Sequence, residues 1–523
     1  MGLYLNPGND GFTTSLNSEI YVDKSLLIEY TNRVVNTNNK YICVSKPRRF
    51  GKSTDVQMLV AYYDCSCDSS TLFKNLNISK SPSYKKHLNK YHVISMDMQK
   101  FLSETHNVDA MIDLINDSLI WELLQEYPIK YFDKSKLSRV LSDINVNRRE
   151  RFIFVLDECD CIFREFKNDK EAQERYLDYL RLLFKGQNYV AMVYMTGILP
   201  IKKYGTHSAL NMFDEFSMIS SIPLTSFMGF TEEEVKTLCN QFQMNYQDMQ
   251  NWYNGYHLEN DISIYSPRSV ISALQRKSFQ NYWNQTETYE ALKLYIDMNY
   301  DGLKDAVINL LAGQHIYVET GTFQNDMTTF QSKDDILTLL VHLGYVGFDF
   351  LKKEVYIPNR EITDSFIQSV KDSNWGAIST TIRNSQNLLL ATWKANEQFV
   401  ATAIEQAHLE TSILQYNDEN ALAYTIYLAY ITAKNHYTII RELPSGKGFA
   451  DLVFLPLYDK PAMIIELKWR QGADTALQQI KEKHYDFGLG NYLDNLLLVG
   501  ISYDTKTKKH TCRIEKYSRN TDS

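Results

Sequence analysis

Four runs of nearly continuous apolar residues mark the first 225 residues of the chain: Tyr41–Ser45, His92–Asp97, Phe152–Asp157 and Tyr189–Thr196. Stretches with helical spacing separate them. Strands apolar on both faces and joined by helices predict a parallel sheet covered on both sides. From about 226 to 375 the pattern turns mainly helical. Thr231, followed by Glu232, Glu233 and Glu234, predicts an N-cap with acidic residues in the first turn. Trp252-Tyr253-Asn254-Gly255-Tyr256 predicts a helix that stops at Gly255.

After residue 376 the pattern becomes mixed. A helix is expected over about Glu419–Ala433, with Leu422, Ile426, Ala429 and Ala433 on one face. Strands are expected at Tyr437–Leu443, Phe449–Leu455 and Met463–Lys468. A second helix, about Ala473–His484, turns Ala473, Ala476, Leu477 and Ile480 inward, and a strand at Leu496–Ile501 follows. The chain therefore divides into 1–225, 226–375 and 376–523.

Composition narrows the class. With 523 residues, 44% hydrophobic and 23% charged, the chain has material for more than one core. Its net charge of −8 does not mark a nucleic-acid binder, although a groove can concentrate basic residues within an acidic whole. Seven scattered cysteines do not form a disulfide framework and lack zinc-ligand spacing, which suits a reducing compartment. No apolar segment follows Met1, and runs such as Leu496–Ile501 are too short to span a bilayer. The expectation is a cytoplasmic protein with no membrane partner.

The loop Ser45-Lys46-Pro47-Arg48-Arg49-Phe50-Gly51-Lys52-Ser53 lies between the first strand and a helix bearing Val56, Leu59, Val60 and Tyr63. Strand, loop and helix form the context of a Walker A phosphate-binding loop. Backbone N–H groups there, from Gly51 through Thr54, would cradle phosphate oxygens. Lys52 would face the β- and γ-phosphates, and Ser53 would offer its hydroxyl to Mg²⁺. The first glycine of the general pattern falls at Lys46, so the loop departs from it there. Arg48 and Arg49 would touch phosphates or a neighbouring domain. The second motif is Walker B: the Phe152–Leu156 run ends in Asp157 and Glu158. Asp157 would hold the Mg²⁺ shell, and Glu158 would orient or deprotonate the attacking water. Thr196, at another strand end, is placed either as a γ-phosphate sensor or as a plain strand terminus.

Asp451 lies in the second C-terminal strand, fifteen residues before Glu466, which shares one strand face with Lys468. Should the strands pair, two carboxylates and an ammonium converge. Hard oxygen donors suit Mg²⁺ or Mn²⁺, and Lys468 would position or help deprotonate a water. Glu419 on the opening helix is a further candidate metal ligand, and Glu442 reads as a solvated strand-end residue. The helix and strand order matches a restriction-endonuclease-like core. The same residues also fit a half-exposed strand with a surface ion pair.

Taken with Tyr21-Val22-Asp23-Lys24-Ser25, Pro47–Ser53, Trp252–Tyr256, Tyr265–Val270, Ile357–Ile362, Gly446-x-Gly448-x-Ala450-Asp451, Ile465–Lys468 and Ala476–Ile480, these motifs resemble a bacterial family. Its members are AAA-ATPase-like proteins with a C-terminal PD-(D/E)XK nuclease domain. The resemblance covers most of the chain and implies a P-loop ATPase domain, a helical lid and a nuclease-like α/β domain. It implies that the Pro-Arg-Arg-Phe-Gly-Lys-Ser form replaces the general Walker A pattern. It also implies that Gln479 supports the site or contacts nucleic acid. The family often carries Arg where this chain has Phe449, which bears on nuclease potency more than on metal binding. The function expected is an ATP-regulated, Mg²⁺-dependent DNA nuclease, with genome defence a role by analogy. Two alternatives remain: a nucleotide switch whose C-terminal domain binds nucleic acid or protein without cleaving, and an assembly protein acting as a homo-oligomer.

Overall fold

The computed structural model describes residues 2–201, 210–283, 292, 295, 302–325, 327–371, 377–410, 419–445, 448–457 and 459–517. It separates into two compact units. One contains Met1–Tyr282 and Tyr317–Asn359, the other Trp283–Ile316 and Arg360–Ser523.

The first unit is built on a sheet of β1 (Tyr41–Ser45), β2 (His92–Asp97), β3 (Phe152–Asp157), β4 (Val190–Gly197) and β5 (Asp214–Phe216), in the order β2-β3-β4-β1-β5. Every pairing is parallel. All residues of β1, β3 and β4 are buried, because helices cover both faces, as the unbroken apolar runs require. The helices Val108–Glu126, Leu137–Arg148 and Lys170–Phe184 turn Ile115, Leu141 and Leu180 into a core shared with Phe152, Phe154 and Leu156. Each such fully buried side chain stabilises the fold by about 1.5–3 kcal/mol. β5, which the apolar pattern does not mark, adds an edge beside β1.

Beyond this sheet the unit becomes mainly helical. Thr231 caps Glu232–Phe242 in a full capping box, its hydroxyl accepting from the Glu234 N–H while the Glu234 carboxylate accepts from the Thr231 N–H. The helix Tyr246–Tyr253 ends two residues before Gly255, whose φ is +111°. A Cβ at Gly255 would lie 1.9 Å from the Pro358 carbonyl oxygen, so the close approach demands glycine. Three short antiparallel strands lie in this region, β6 (Phe230–Thr231), β7 (Tyr256–Leu258) and β8 (Ile262–Tyr265), in the order β6-β8-β7.

The second unit holds a five-stranded sheet of β9 (Tyr437–Ser445), β10 (Gly448–Pro456), β11 (Ala462–Trp469), β12 (Leu496–Asp504) and β13 (Lys509–Lys516), paired in chain order. Only β11 and β12 run parallel. A parallel pair needs a crossover, supplied by the helix Ala473–Glu482 and the 3₁₀ segment after it. This helix buries Ala473, Ala476, Leu477 and Ile480, the face expected from its spacing. It lies so close to β12 that a Cβ at Gly500 would come 2.3 Å from the Ala473 carbonyl oxygen. The opening helix stops at Ala429 rather than Ala433, and Ile431–Asn435 continues as a 3₁₀ turn. β13 extends the sheet beyond the expected elements.

Among the described residues, no helix is long and apolar enough to cross a membrane.

Candidate functional site

The first site forms where β1, β3 and β4 end. The loop after β1 reaches Gly51 at φ +87°, with open space where a Cβ would project, and the helix Lys52–Tyr63 begins at once. This left-handed turn aims the helix N-terminus, with its free N–H groups, into the loop. Lys52 starts the helix buried, and its Nζ donates to the carbonyls of Lys46 (3.1 Å) and Pro47 (3.2 Å). Burial holds its pKa below the usual lysine value, opposed by the charges of Glu158, Asp160 and Asp157. Ser53 donates to Asp157 Oδ2 at 2.7 Å, and Thr196 donates to Asp157 Oδ1. Two hydroxyls and a carboxylate, all hard oxygens, thus converge beside the Lys52 ammonium. That donor set fits a nucleotide-bound Mg²⁺.

Glu158 follows Asp157 at φ +52°. Its Oε1 lies 4.0 Å from Lys52 Nζ and its Oε2 2.5 Å from Arg164 Nη2. Burial raises its pKa, and the two cations pull it down. Thr54 is exposed on the first helical turn. Arg48 is half-buried and Arg49 exposed. The Arg49 guanidinium is held below its ordinary pKa by partial burial, then by repulsion from Arg268 and Arg48. Three guanidiniums therefore share the surroundings of the loop.

The second site forms where β10 and β11 part. Their ladder runs from Phe454↔Met463 to Leu452↔Ile465. At the next position the Asp451 side chain replaces the backbone, Oδ2 accepting from the Leu467 N–H at 2.7 Å. Glu466 and Lys468 share one face of β11, and Lys468 Nζ lies 3.2 Å from Glu466 Oε1. Gln479, on the crossover helix, donates to the same Oε1 and also to the Tyr485 hydroxyl at 3.1 Å. Glu466 is only 1% exposed, yet its Oε2 has no hydrogen-bond partner among the described residues. Burial pushes its pKa up to about 7, and the charge of Asp451 pushes the same way. A buried carboxylate oxygen without a donor is costly, and a cation beside it would remove that cost. The residues present therefore fit a divalent ion.

Two expected participants cannot be placed: the Glu419 side chain, and Gly446 with Lys447, lie outside the described residues. Glu442, opposite Asp451 on β9, is exposed at φ +50°. Phe449 is 62% exposed.

Comparison with known proteins adds the family. Residues 12–206 match the model of the predicted AAA-ATPase family, and residues 417–512 match that of the PD-(D/E)XK nuclease superfamily. The chain joins an AAA-ATPase-like domain to a PD-(D/E)XK nuclease superfamily domain. An uncharacterized protein in the vnfD 5' region of Azotobacter chroococcum mcd 1 is 20% identical over 278 residues, covering 51% of each chain. This chain thus spans about half the length of the curated relative it matches. Among solved structures, the Walker-type ATPase PABY2304 of Pyrococcus abyssi is 13% identical, covering 65% of this chain and 94% of its own, with a TM-score of 0.33. Cdc6p of Pyrobaculum aerophilum is 13% identical, covering 70% and 98%, with a TM-score of 0.24.

Within the AAA-ATPase-like domain, several residues near the phosphate loop escape the motifs. Lys46, where the general Walker A pattern has glycine, is 2% exposed. Its Nζ bonds Asp55 Oδ2 and the Phe227 carbonyl, each at 2.5 Å, and so ties the loop to the segment preceding β6. Lys24 makes a parallel tie, to Ser226 O at 2.7 Å and to the Glu234 carboxylate at 2.7 and 2.8 Å. Lys24 thereby braces the Tyr21–Ser25 segment against the helix Glu232–Phe242. Asp160 and Arg164 lie two and six residues past Glu158, and only their i,i+4 spacing hinted at a pair. Replacing Lys46 by Met would leave Asp55 buried without its partner. We expect a loss of about 3–5 kcal/mol in unfolding free energy, read by denaturant titration, and a smaller loss for Lys46→Met with Asp55→Leu together.

Proposed function

We propose that this chain is an ATP-binding and ATP-hydrolysing protein whose C-terminal domain is a divalent-metal-dependent DNA nuclease under nucleotide control. In this reading residues 1–225 bind ATP, 226–375 act as the lid and 376–523 cut a phosphodiester. The protein works in the cytoplasm, singly or as a homo-oligomer. The observation that carries the nuclease half is Glu466 Oε2, a buried carboxylate oxygen without a hydrogen-bond partner among the described residues, beside a second carboxylate. Asp451 and Glu466 would hold Mg²⁺ or Mn²⁺. Bound there, the ion would stabilise charge on the scissile phosphate and acidify a water. Lys468 would orient that water, while Gln479 keeps Glu466 turned toward the site. In the other half Lys52, with Gly51, Ser53, Thr54, Arg48 and Arg49, would grip the phosphates. Asp157 and Ser53 would hold Mg²⁺, Thr196 would fix the Asp157 carboxylate, and Glu158 would direct the water.

A second reading, a nucleotide switch that binds nucleic acid without cutting, draws support from the apolar Phe449 two residues before Asp451 on the same strand face. Incubating the purified chain with single- and double-stranded DNA and Mn²⁺ or Mg²⁺, with and without ATP, separates the two. Cleavage that responds to ATP supports the first. DNA binding without cleavage under either metal supports the second.

The Glu466 carboxyl gives a pH signature free of any substrate. Its pKa in the fold is about 7, against an ordinary 4.5. The folded state therefore holds the proton more tightly than the unfolded chain. The associated stability is fully present below about pH 4.5 and is lost as pH rises through 7, by on the order of 3 kcal/mol. Denaturation in EDTA at pH 5 and pH 8 should show this loss, and Glu466→Gln should flatten it. A Glu466→Gln protein that keeps the full pH dependence would assign it to another group.

A further inference from the structure

We propose that the segment 130–149 of the ATPase-like domain is a binding surface for single-stranded nucleic acid, separate from the nuclease site. It needs no cleavage and uses a face that neither phosphate motif touches. Residues 128–151 hold seven Lys and Arg against three Asp and Glu, in a chain whose net charge is −8. A local excess of cations on an acidic protein is where a polyanion would dock. Lys130, Lys134, Lys136, Arg139, Arg148 and Arg149 are all exposed, and none forms a salt bridge among the described residues. Arg151 differs, since its Nη1 donates to Asn36 Oδ1 at 3.1 Å.

The loop that opens this segment sorts its side chains by turns. Ile129 and Tyr131 pack against the core, and the Tyr131 hydroxyl donates to the Tyr127 carbonyl at 2.6 Å. Lys130 is exposed between them, and Phe132 after them is 91% exposed. Hydrogen bonds fix the backbone that holds Phe132 out. Its N–H donates to Asp143 Oδ2 at 2.8 Å, and Asp133 Oδ1 accepts from the Ser135 N–H at 2.8 Å and from the Ser135 hydroxyl at 2.6 Å. A phenylalanine so placed forgoes the free energy that burial gives an aromatic ring, and its face stays open to a ligand.

The Asp143 bond also sets Phe132 among the cations. On the helix Leu137–Arg148, Arg139 and Val146 are the i−4 and i+3 neighbours of Asp143, and both are exposed. Lys136 precedes the helix, and Arg148 and Arg149 close it. Cations therefore stand at both ends of a track of about 18 Å, room for several nucleotides, with an aromatic ring between them. Unpaired bases offer faces on which such a ring can stack, while their phosphates meet the cations. A duplex would present phosphates without open base faces. An anionic lipid surface would call for a continuous apolar face, and here Phe132 and Val146 stand among charges and the exposed Ser135 and Asn147. Arg149 comes three residues before β3 begins at Phe152, so this surface lies at the opposite end of that strand from Asp157. A bound strand would leave the Lys52 site open to nucleotide.

The test measures fluorescence anisotropy of a labelled oligothymidylate with the full chain in EDTA, over a range of salt concentrations. Wild type is compared with Phe132→Ala, Phe132→Trp and the double variant Arg139→Gln/Arg149→Gln. Phe132→Ala should weaken binding roughly tenfold with the salt dependence unchanged, and Phe132→Trp should restore it. The double variant should also bind roughly tenfold more weakly, and its slope of log Kd against log salt should be shallower by about 1.4. Binding of a labelled duplex should not respond to Phe132→Ala. Affinity for a fluorescent ATP analogue should stay within about twofold throughout, which shows that the domain is folded. Wild-type oligothymidylate affinity and slope in the folded variants, or no binding by wild type, overturns the proposal. So does binding to phosphatidylserine vesicles in place of the oligonucleotide, or a variant that changes only the oligomeric mass. The nuclease reading stands or falls separately: a chain that binds through this face and never cuts with Mg²⁺ or Mn²⁺ sinks that reading alone.

Discussion

Replacing Asp451 by Asn should abolish DNA cleavage by the purified chain, lowering the rate on the order of 10³-fold, while leaving the fold intact. The reasoning starts from the break in the β10–β11 ladder. Asp451 carries two tasks at once. Its Oδ2 receives the Leu467 N–H, which would otherwise be unpaired where the strands part, and its charge faces Glu466. Asn retains an oxygen for the first task and loses the charge needed for the second. Asp451→Ala removes both, so it should lose activity and also destabilise the C-terminal sheet by about 1–3 kcal/mol for the stranded N–H. Comparing the two by cleavage assay and thermal melting separates chemistry from packing. A second consequence concerns Glu466. Without the Asp451 charge its pKa should move back toward the ordinary carboxylate value, although burial, the larger cause, remains. A fully active Asp451→Asn protein would remove this residue from the catalytic set, and an unfolded one would make its role structural.

The parts of this architecture that were legible in the sequence share a physical property. Strands buried on both faces have to be apolar throughout, so β1, β3 and β4 announce themselves as continuous runs. The capping box at Thr231 is equally local, four residues that satisfy one another. β5 and β13 lack such a signature. β5 is Asp-Glu-Phe with two exposed carboxylates. β13 alternates buried and exposed residues along Lys-His-Thr-Cys-Arg-Ile-Glu-Lys, and its inward positions include His510 and Cys512, which give little apolar contrast. The Glu466–Lys468 pair was readable because strand periodicity alone places both on one face. That Glu466 would have one oxygen bonded and the other bare was not readable. That depends on how the crossover helix delivers Gln479 and on where β10 and β11 separate, neither of which is a local property. Lys46 shows the same limit more sharply. As a motif position it was only a missing glycine, because the partner that explains it, the Phe227 carbonyl, lies 181 residues further along.

Replacing Lys52 by Met should weaken ATP binding by roughly 10²- to 10³-fold, about 3–4 kcal/mol, without unfolding the chain. Lys52 is buried, and its ammonium donates to the Lys46 and Pro47 carbonyls of its own loop, with Glu158 Oε1 4.0 Å away. Those two bonds are neutral-acceptor contacts. Exchanging them for phosphate oxygens replaces uncharged acceptors with charged ones in a water-poor pocket, and the gain falls almost entirely on the bound state. Met preserves the stem and its packing, so the free protein loses little. Indeed, burial lowers the Lys52 pKa, which means that the fold already pays to keep the ammonium charged there, and removing it relieves that cost. The expected pattern is therefore unusual: a melting temperature unchanged or raised without nucleotide, and no further rise when ATP and Mg²⁺ are added. Thr196→Val offers the contrast. It takes one hydroxyl from Asp157 but leaves the Ser53 bond and the ammonium in place, so nucleotide should still raise the melting temperature. Titration of a fluorescent ATP analogue against both variants decides the matter: near-wild-type affinity in Lys52→Met would mean that the loop grips phosphate through its backbone and arginines instead.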